Sequence, residues 1–334
     1  FLNNTQCDFF LFILQKLSKR NIIQDMSNNI LVIGSFMQDL IWETTGLPNP
    51  GQTVIGHLRS GPGGKGSNQA IAARRAGGAV CFIGSVGKDS YSNNARCLYE
   101  TEGIRYHLKE TSETPSGTAA IIVDEKGENQ IVVDLGANEN LSSSEIIDKE
   151  IKSANMLICQ FESNLTTTIS SLKIANKSKT TTILNPAPMR SNVNLDFLTE
   201  VDIIVPNENE FFELTKALGI KTPTCDILKF PKNKMNTIRK DIGTKVLIIT
   251  LGDRGSLLCT ENSYIKIDPI HLGKAIDTTG AGDAYVGGLG AGLIHFEGNV
   301  LKAANFASAT AGISVTRKGT VNAMPYINEI QEII

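Results

Sequence analysis

Asp277-Thr278-Thr279-Gly280-Ala281-Gly282-Asp283 joins a run of unhindered backbone N–H groups to a carboxylate. The apolar run behind it (Ala284, Tyr285, Val286, Leu289) predicts a helix whose positive dipole end opens at the glycines. Negative charge developing beside those amides would be stabilised. Asp283, in the first turn, could take a proton from a nucleophile arriving there. An anion cradle beside a base suits phosphoryl transfer. The plain structural alternative is an Asp-capped glycine loop holding a buried helix.

A second glycine cluster, Gly61-Pro62-Gly63-Gly64-Lys65-Gly66-Ser67-Asn68, leads into Gln69-Ala70-Ile71-Ala72-Ala73-Arg74-Arg75, a helical run of small residues suited to close packing. A Walker A loop would place Ser or Thr after its lysine, whereas Lys65 is followed by Gly66.

The elements that must carry these loops can be read from apolar runs. Ile30–Gly34, Val80–Gly84, Asn155–Cys159, Thr181–Leu184, Asp202–Val205 and Val246–Thr250 have the continuous apolar character of strands buried on both faces. Helical patterns intervene at 67–76, 90–102, 142–152, 166–177, 208–218 and 233–242. This alternation predicts an α/β fold with a mainly parallel sheet covered on both sides. Thr118–Val123 and Gln130–Val133, joined by a polar connector, instead read as a hairpin. With strands near 36–44 and 54–61, it would form a small separate sheet.

Composition narrows the function classes. With 41% hydrophobic and 20% charged residues among 334, the chain has ample material for a core. A formal net charge of −2 and pI near 6.2 give no bulk attraction to nucleic acid or to an anionic membrane. The six cysteines (Cys7, Cys81, Cys97, Cys159, Cys225, Cys259) show no C-x-x-C pair and no His at ligand spacing, which argues against a zinc site or disulfide framework. A reducing, cytoplasmic setting is expected, with nuclear presence open at 36.1 kDa. Phe9–Leu14 is too short to span a bilayer, and Asp8 without a small-residue cleavage site argues against a signal peptide. Met26 stands directly before the first strand, so residues 1–25 are expected to be a leader or extension outside the fold. An amphipathic targeting segment bearing Lys16, Lys19 and Arg20 is the competing reading.

Taken together, the motifs resemble the ribokinase branch of the PfkB carbohydrate kinase family. Gly63–Ala70 and Asp277–Asp283 carry most of the likeness. Between them, in collinear order, lie Gly136-Ala137-Asn138, Gln160-Phe161-Glu162, Asn185-Pro186-Ala187-Pro188, Pro206-Asn207-Glu208-Asn209-Glu210 and Thr250-Leu251-Gly252-Asp253-Arg254-Gly255. Val315-Thr316-Arg317-Lys318-Gly319 closes the series. The resemblance implies a ribokinase-like three-layer sandwich over residues 26–334, with a β-sheet lid formed by about 36–62 and 115–135. Such a lid, hinged at Gly63 and Gly64, would cover a sugar pocket, exclude water and serve as a homodimer surface.

The same resemblance implies roles for individual residues. Asp39, Gly64, Lys65, Gly66, Asn68 and Glu162 would surround a small-molecule sugar, with Asp283 as base and Gly280, Ala281 and Gly282 as anion hole. Asn207 and Glu210 would organise magnesium (Mg2+), although Asn207 also suits a helix N-cap; Glu208 and Glu213 read as solvated helix faces. ATP would contact Thr250, Leu251, Gly252, Asp253, Arg254, Gly255 and Gly282, with Asn305 or Ser308 near adenine. A potassium ion (K+) would be held by Asp277, Thr279, Ser314, Arg317, Gly319 and Ala323, mostly through carbonyls. Two departures matter: Met37 replaces an Asn of bacterial forms that touches the sugar, and Ala323 replaces a Ser. The implied activity is phosphorylation of the 5-hydroxyl of D-ribose by ATP. Alternatives are a kinase of 2-deoxyribose, fructose, a nucleoside or a keto-sugar acid, and a non-catalytic sugar-binding regulator. Only 6% aromatic content argues against a nucleoside, and intact Gly280, Gly282 and Asp283 argue against the regulator.

Overall fold

The computed structural model describes residues 29–190, 193–223 and 226–334. The expectations about a leader and a start at Met26 fall outside the described residues. The chain opens with β1 (Asn29–Ile33), β2 (Met37–Thr44), β3 (Gly56–Gly63) and α1 (Lys65–Arg75). It continues through β4 (Ala79–Gly87), α2 (Ser90–Glu102), β5 (Arg105–Thr111), β6 (Gly117–Val123) and β7 (Asn129–Asp134). Next come α3 (Glu145–Ser153), β8 (Met156–Gln160), α4 (Leu165–Ser178), β9 (Thr181–Asn185) and β10 (Ile203–Ile204). The last part holds α5 (Glu208–Ala217), α6 (Lys232–Ile242), β11 (Val246–Thr250), β12 (Ser256–Cys259) and β13 (Tyr264–Ile267). Helices α7 (Ala281–His295), α8 (Val300–Ser314) and α9 (Ile327–Gln331) complete it.

One large sheet runs in the order β13-β12-β11-β10-β9-β8-β1-β4-β5, parallel from β11 to β5. The antiparallel end at β12 and β13, and the strand β5, were not anticipated. β5 (RYHLKET) is polar and partly exposed at the sheet edge, so it lacks the apolar run that marks a central strand.

The strand period of two divides the core. Ile30 and Val32 of β1 join one cluster, with α1, α2, α7 and α8; Leu31 and Ile33 join the other, with α3 to α6. Both faces are therefore covered, as the apolar runs imply. The small sheet follows the order β3-β2-β6-β7 and matches the expected lid strands. Its roots are clamped by Asn138, whose Oδ1 accepts from Phe36 N and whose Nδ2 donates to Phe36 O and Leu135 O.

Two glycines set where the site elements sit. Gly64 caps α1 at φ 90, and a Cβ there would lie 2.8 Å from Met37 N, so the lid strand can pass directly over the helix start. Gly287, inside α7, lets that helix press on α1: a Cβ would come 2.5 Å from Gln69 O and 2.8 Å from Ala73 N. Backbone cannot yield as a flexible side chain would. Gly287→Ala is therefore expected to force α7 from α1, costing about 1–3 kcal/mol, read as a lower urea midpoint.

Candidate active site

The parallel strands end on one edge, where open α/β sheets bind ligands. Ser35 follows β1, Glu162 follows β8, Asn185 ends β9, Asn207 follows β10 and Thr250 ends β11, with Asn207 and Thr250 joined by an isolated parallel bridge. The α1 and α7 starts and the lid strand β2 converge on the same edge.

Asp283 is 7% exposed. Both of its oxygens are engaged: Oδ2 accepts from Asn68 Nδ2 at 3.0 Å and Oδ1 from Gln69 Nε2 at 2.9 Å. Burial raises its pKa; Lys65 and the two amides oppose this, and Glu162 adds to it. Ala281 N–H donates to Thr278 O at 3.2 Å, whereas Gly282 and Asp283 are first-turn amides without an intrahelical acceptor. The cradle thus narrows to the amides beside the Asp283 carboxylate.

Glu162 Oε2 accepts from Ser35 Oγ at 2.6 Å and from Lys65 N at 2.7 Å, while its Oε1 lies 3.8 Å from Lys65 Nζ. Lys65 is held protonated, its pKa raised by Glu162, Asp283, Glu210 and Asp39 against the opposing effect of burial. Those four acids therefore act on one ammonium group, Glu162 in direct contact with it. Asp39, on the lid strand, is pushed up to about 7, by burial first and then by Glu162 and Asp283. Asp39, Lys65, Asn68, Glu162 and Asp283 thus share one cleft. A cavity of about 1120 Å³ adjoins it, lined by Asp39 and Arg59 of the lid and by Asp277, Thr279, Gly319 and Thr320 opposite.

Asn207 and Glu210 form a capping box: Asn207 Oδ1 accepts from Glu210 N and Glu210 Oε2 from Asn207 N, each at 2.9 Å. Burial raises the Glu210 pKa. Glu208 differs from the solvated reading; its Oε2 accepts from Arg254 Nη2 at 2.5 Å, and Asp226 takes Nη1 at 2.9 Å. Arg254 is thereby committed to side-chain acids, Leu251 is buried, and Gly252–Gly255 make the turn between β11 and antiparallel β12. On α8, Ser308 Oγ donates to Asp268 O, and exposed Asn305 donates back to Leu301 O.

Asp277 braces its loop from two sides, Oδ1 accepting from Thr279 N and Oδ2 from Gly319 N, both at 2.9 Å. Segments 277–279 and 314–319 are thus neighbours. Within them, Ser314 Oγ donates to Ala311 O, Arg317 pairs with Glu329, and buried Ala323 sits in a short turn.

Sequence reasoning gave no role to Gln69, Gln160, Asn185 or Ser35, though three of them stand inside quoted motifs. Polar residues ending otherwise apolar strands, as Gln160 and Asn185 do, were the available signal. A metal-type trio absent from linear spacing also appears, with Cys81, His107 and Glu150 ligand atoms within 4.8 Å of one another. Arg105 already closes on both Glu150 oxygens at 2.5 and 2.7 Å, which neutralises that carboxylate. Among the described residues, no helix is long and apolar enough to cross a membrane.

Comparison with known proteins agrees with this geometry. Residues 27–327 match the family described as pfkB family carbohydrate kinase. The chain belongs to the pfkB family of carbohydrate kinases. It is 33% identical to a ribokinase of Mus musculus over 310 residues, covering 90% of this chain and 93% of that one. It is 32% identical to a deoxyribokinase of Salmonella typhi, covering 92% and 98%. A structure of Arabidopsis thaliana ribokinase complexed with ribose and ATP superposes with TM-score 0.83 at 25% identity, covering 92% of this chain and 98% of that one. The chain is thus a phosphotransferase of the sugar-kinase class with the ribokinase-like α/β fold.

The electrostatics carry a test with a definite sign. An acid whose pKa rises from 3.8 to about 7 on folding contributes stability at low pH that is lost as pH climbs through that interval. Wild type is therefore expected to lose stability relative to Asp39→Asn between about pH 4 and pH 7, and to level off above it. Parallel thermal melts across that range check this; a constant difference would contradict the assigned burial of Asp39.

Proposed function

We propose that the chain transfers the γ-phosphoryl group of ATP to the 5-hydroxyl of D-ribose, giving ribose 5-phosphate and ADP. The carrying observation is the Asp283 carboxylate, fixed by two amides beside first-turn N–H groups and facing Asp39, Lys65 and Glu162. Asp39, Gly64, Lys65, Gly66, Asn68 and Glu162 hold the sugar, whose hydroxyls need paired oxygen and amide partners. Asp283 removes the proton from O5, the oxygen attacks the γ-phosphorus in line, ADP departs, and within the Gly280–Asp283 loop the uncommitted amides of Gly282 and Asp283 receive the developing charge. ATP lies along Thr250–Gly255 and Gly282, with its base towards Asn305 and Ser308.

The donor chemistry fits two cations. The capping box engages Glu210 Oε2 and leaves its second oxygen as a hard donor beside Asn207, which suits Mg2+ keeping most of its water. Bound there, the ion would neutralise charge between the phosphates. The carbonyls of the paired segments at Asp277, Thr279, Ser314, Arg317, Gly319 and Ala323 offer an oxygen set for K+, with Asp277 holding the segments together. The lid closes over the sugar, and its exposed Leu58, Ile131 and Val132 favour a homodimer formed through it. The described residues act as one kinase domain of the cytoplasm.

A second reading, 2-deoxyribose as substrate, is favoured by the near-equal identity to a deoxyribokinase. The two differ by one hydroxyl, and a site built to bond it discriminates strongly. A coupled ADP-release assay over pentoses, hexoses and nucleosides, with and without potassium, is expected to give the highest kcat/KM with D-ribose; a preference for 2-deoxyribose would replace that substrate. Asp283→Ala is expected to lower kcat by roughly 10²–10⁴ while calorimetry still detects sugar binding. Turnover near wild type in that variant would remove Asp283 from the reaction.

A further inference from the structure

The geometry points to Gln69 as a positioning residue for Asp283, oriented by a one-way chain of buried amides that begins at the main-chain carbonyl of Val205. This inference rests on the reading of Asp283 as base. The Val205 carbonyl can only accept, and Asn185 Nδ2 donates to it at 2.8 Å. Asn185 Oδ1 must then face the other way, where it accepts from Gln69 Nε2 at 3.1 Å. The same nitrogen has a second hydrogen, and this one reaches Asp283 Oδ1 at 2.9 Å. Gln69 Oε1 in turn accepts from Gln160 Nε2 at 2.6 Å. Turning Gln69 round would set its oxygen against Asn185 Oδ1 and against the carboxylate at once. Turning Gln160 round would set oxygen against oxygen at Gln69.

The far end of the chain shows that this polarity is maintained at a cost. Gln160 Oε1 is buried and has no hydrogen-bond partner. An unpaired buried acceptor is unfavourable, yet every rearrangement that would relieve it moves a repulsive contact nearer to Asp283. The outcome is that Asp283 always meets an N–H on Oδ1, as it does on Oδ2 from Asn68. Two donors fix the plane of the carboxylate and favour its charged form, the form that can take a proton. They act against burial and against the acids that face the site: Glu162 after β8, Asp39 on the lid and Glu210 on α5; Lys65 on α1 acts with them.

Gln69→Leu removes the donor, Gln69→Glu keeps the shape but places an acceptor there, and Asn185→Leu removes one of the two acceptors that orient Gln69 Nε2 while lying one amide away from Asp283. With ATP and D-ribose, the acid limb of kcat against pH is expected to move to higher pH in all three, furthest in Gln69→Glu. In Gln69→Leu, kcat should fall by about 10-fold at the wild-type optimum, with KM for D-ribose within about twofold of wild type. A residue that merely packs would lower kcat and stability without moving the limb. An acid limb shared with wild type in the variants that retain a cooperative urea transition overturns the inference. A wild-type chain that phosphorylates no sugar overturns instead the kinase reading on which it rests.

Discussion

Crowding several carboxylates around one ammonium group is the constraint to which the rest of the site answers. Asp39, Glu162, Glu210 and Asp283 all act on Lys65, and burial chiefly raises the pKa of Asp39, Glu210 and Asp283. Left without donors, such acids would protonate, and a protonated Asp283 could not act as a base. The fold therefore brings N–H and O–H groups to them. Glu162 receives Ser35 and the Lys65 amide, Asp283 receives Asn68 and Gln69, and Glu210 receives the Asn207 amide. Asp39 has no comparable donor, and burial together with Glu162 and Asp283 pushes its pKa up to about 7.

The two donors to Asp283 arrive because α1 and α7 touch along their backbones. Gly287 removes the side chain that would otherwise separate Asp283 from the first turn of α1, and the small residues Ala70, Ala72 and Ala73 do the same from the other helix. The resulting contact spans more than two hundred residues of chain, yet it sets a hydrogen bond of 3.0 Å between Asn68 and Asp283. Packing density and catalytic geometry are here one property. A residue that loosens the helix pair alters the base without touching it.

Much of this was legible before any coordinates, because two glycine-rich loops with an embedded Lys65 and Asp283 are chemically unusual, and apolar runs reveal buried parallel strands. The reading of the small second sheet as a lid came from the family resemblance, whereas the sheet itself was visible from its β-rich runs and polar connector. The amide chain was not, since Gln69 lies 91 residues from Gln160 and 116 from Asn185, and glutamine carries no charge to draw notice. Glu208 was misread for a related reason: its partner Arg254 sits in a loop 46 residues away, and an acid on a helix looks solvated until the loop is placed. The polar edge strand β5 escaped because it obeys no buried period. Cys81, His107 and Glu150 show the converse, a cluster assembled by the sheet that linear spacing excludes.

The charge balance also bears on how a nucleotide could enter. Against the four acids stand Lys65, Arg59 on the lid near Asp39 though paired with Glu43, and, at the start of α7, a helix end worth roughly half a unit charge. A triphosphate would add several negative charges to a cleft that already holds an excess of them, at distances where a partly desolvated interior screens poorly. Arg254 is spent on Glu208 and Asp226, and Arg317 on Glu329, so neither is poised to compensate. Cations brought with the nucleotide or seated beside the cradle would resolve the conflict, and the remaining oxygen of Glu210 and the carbonyls around Asp277 are hard donors suited to them. The proposed magnesium and potassium dependence thus follows from the same crowding of acids that raises the pKa of Asp283, the proposed base.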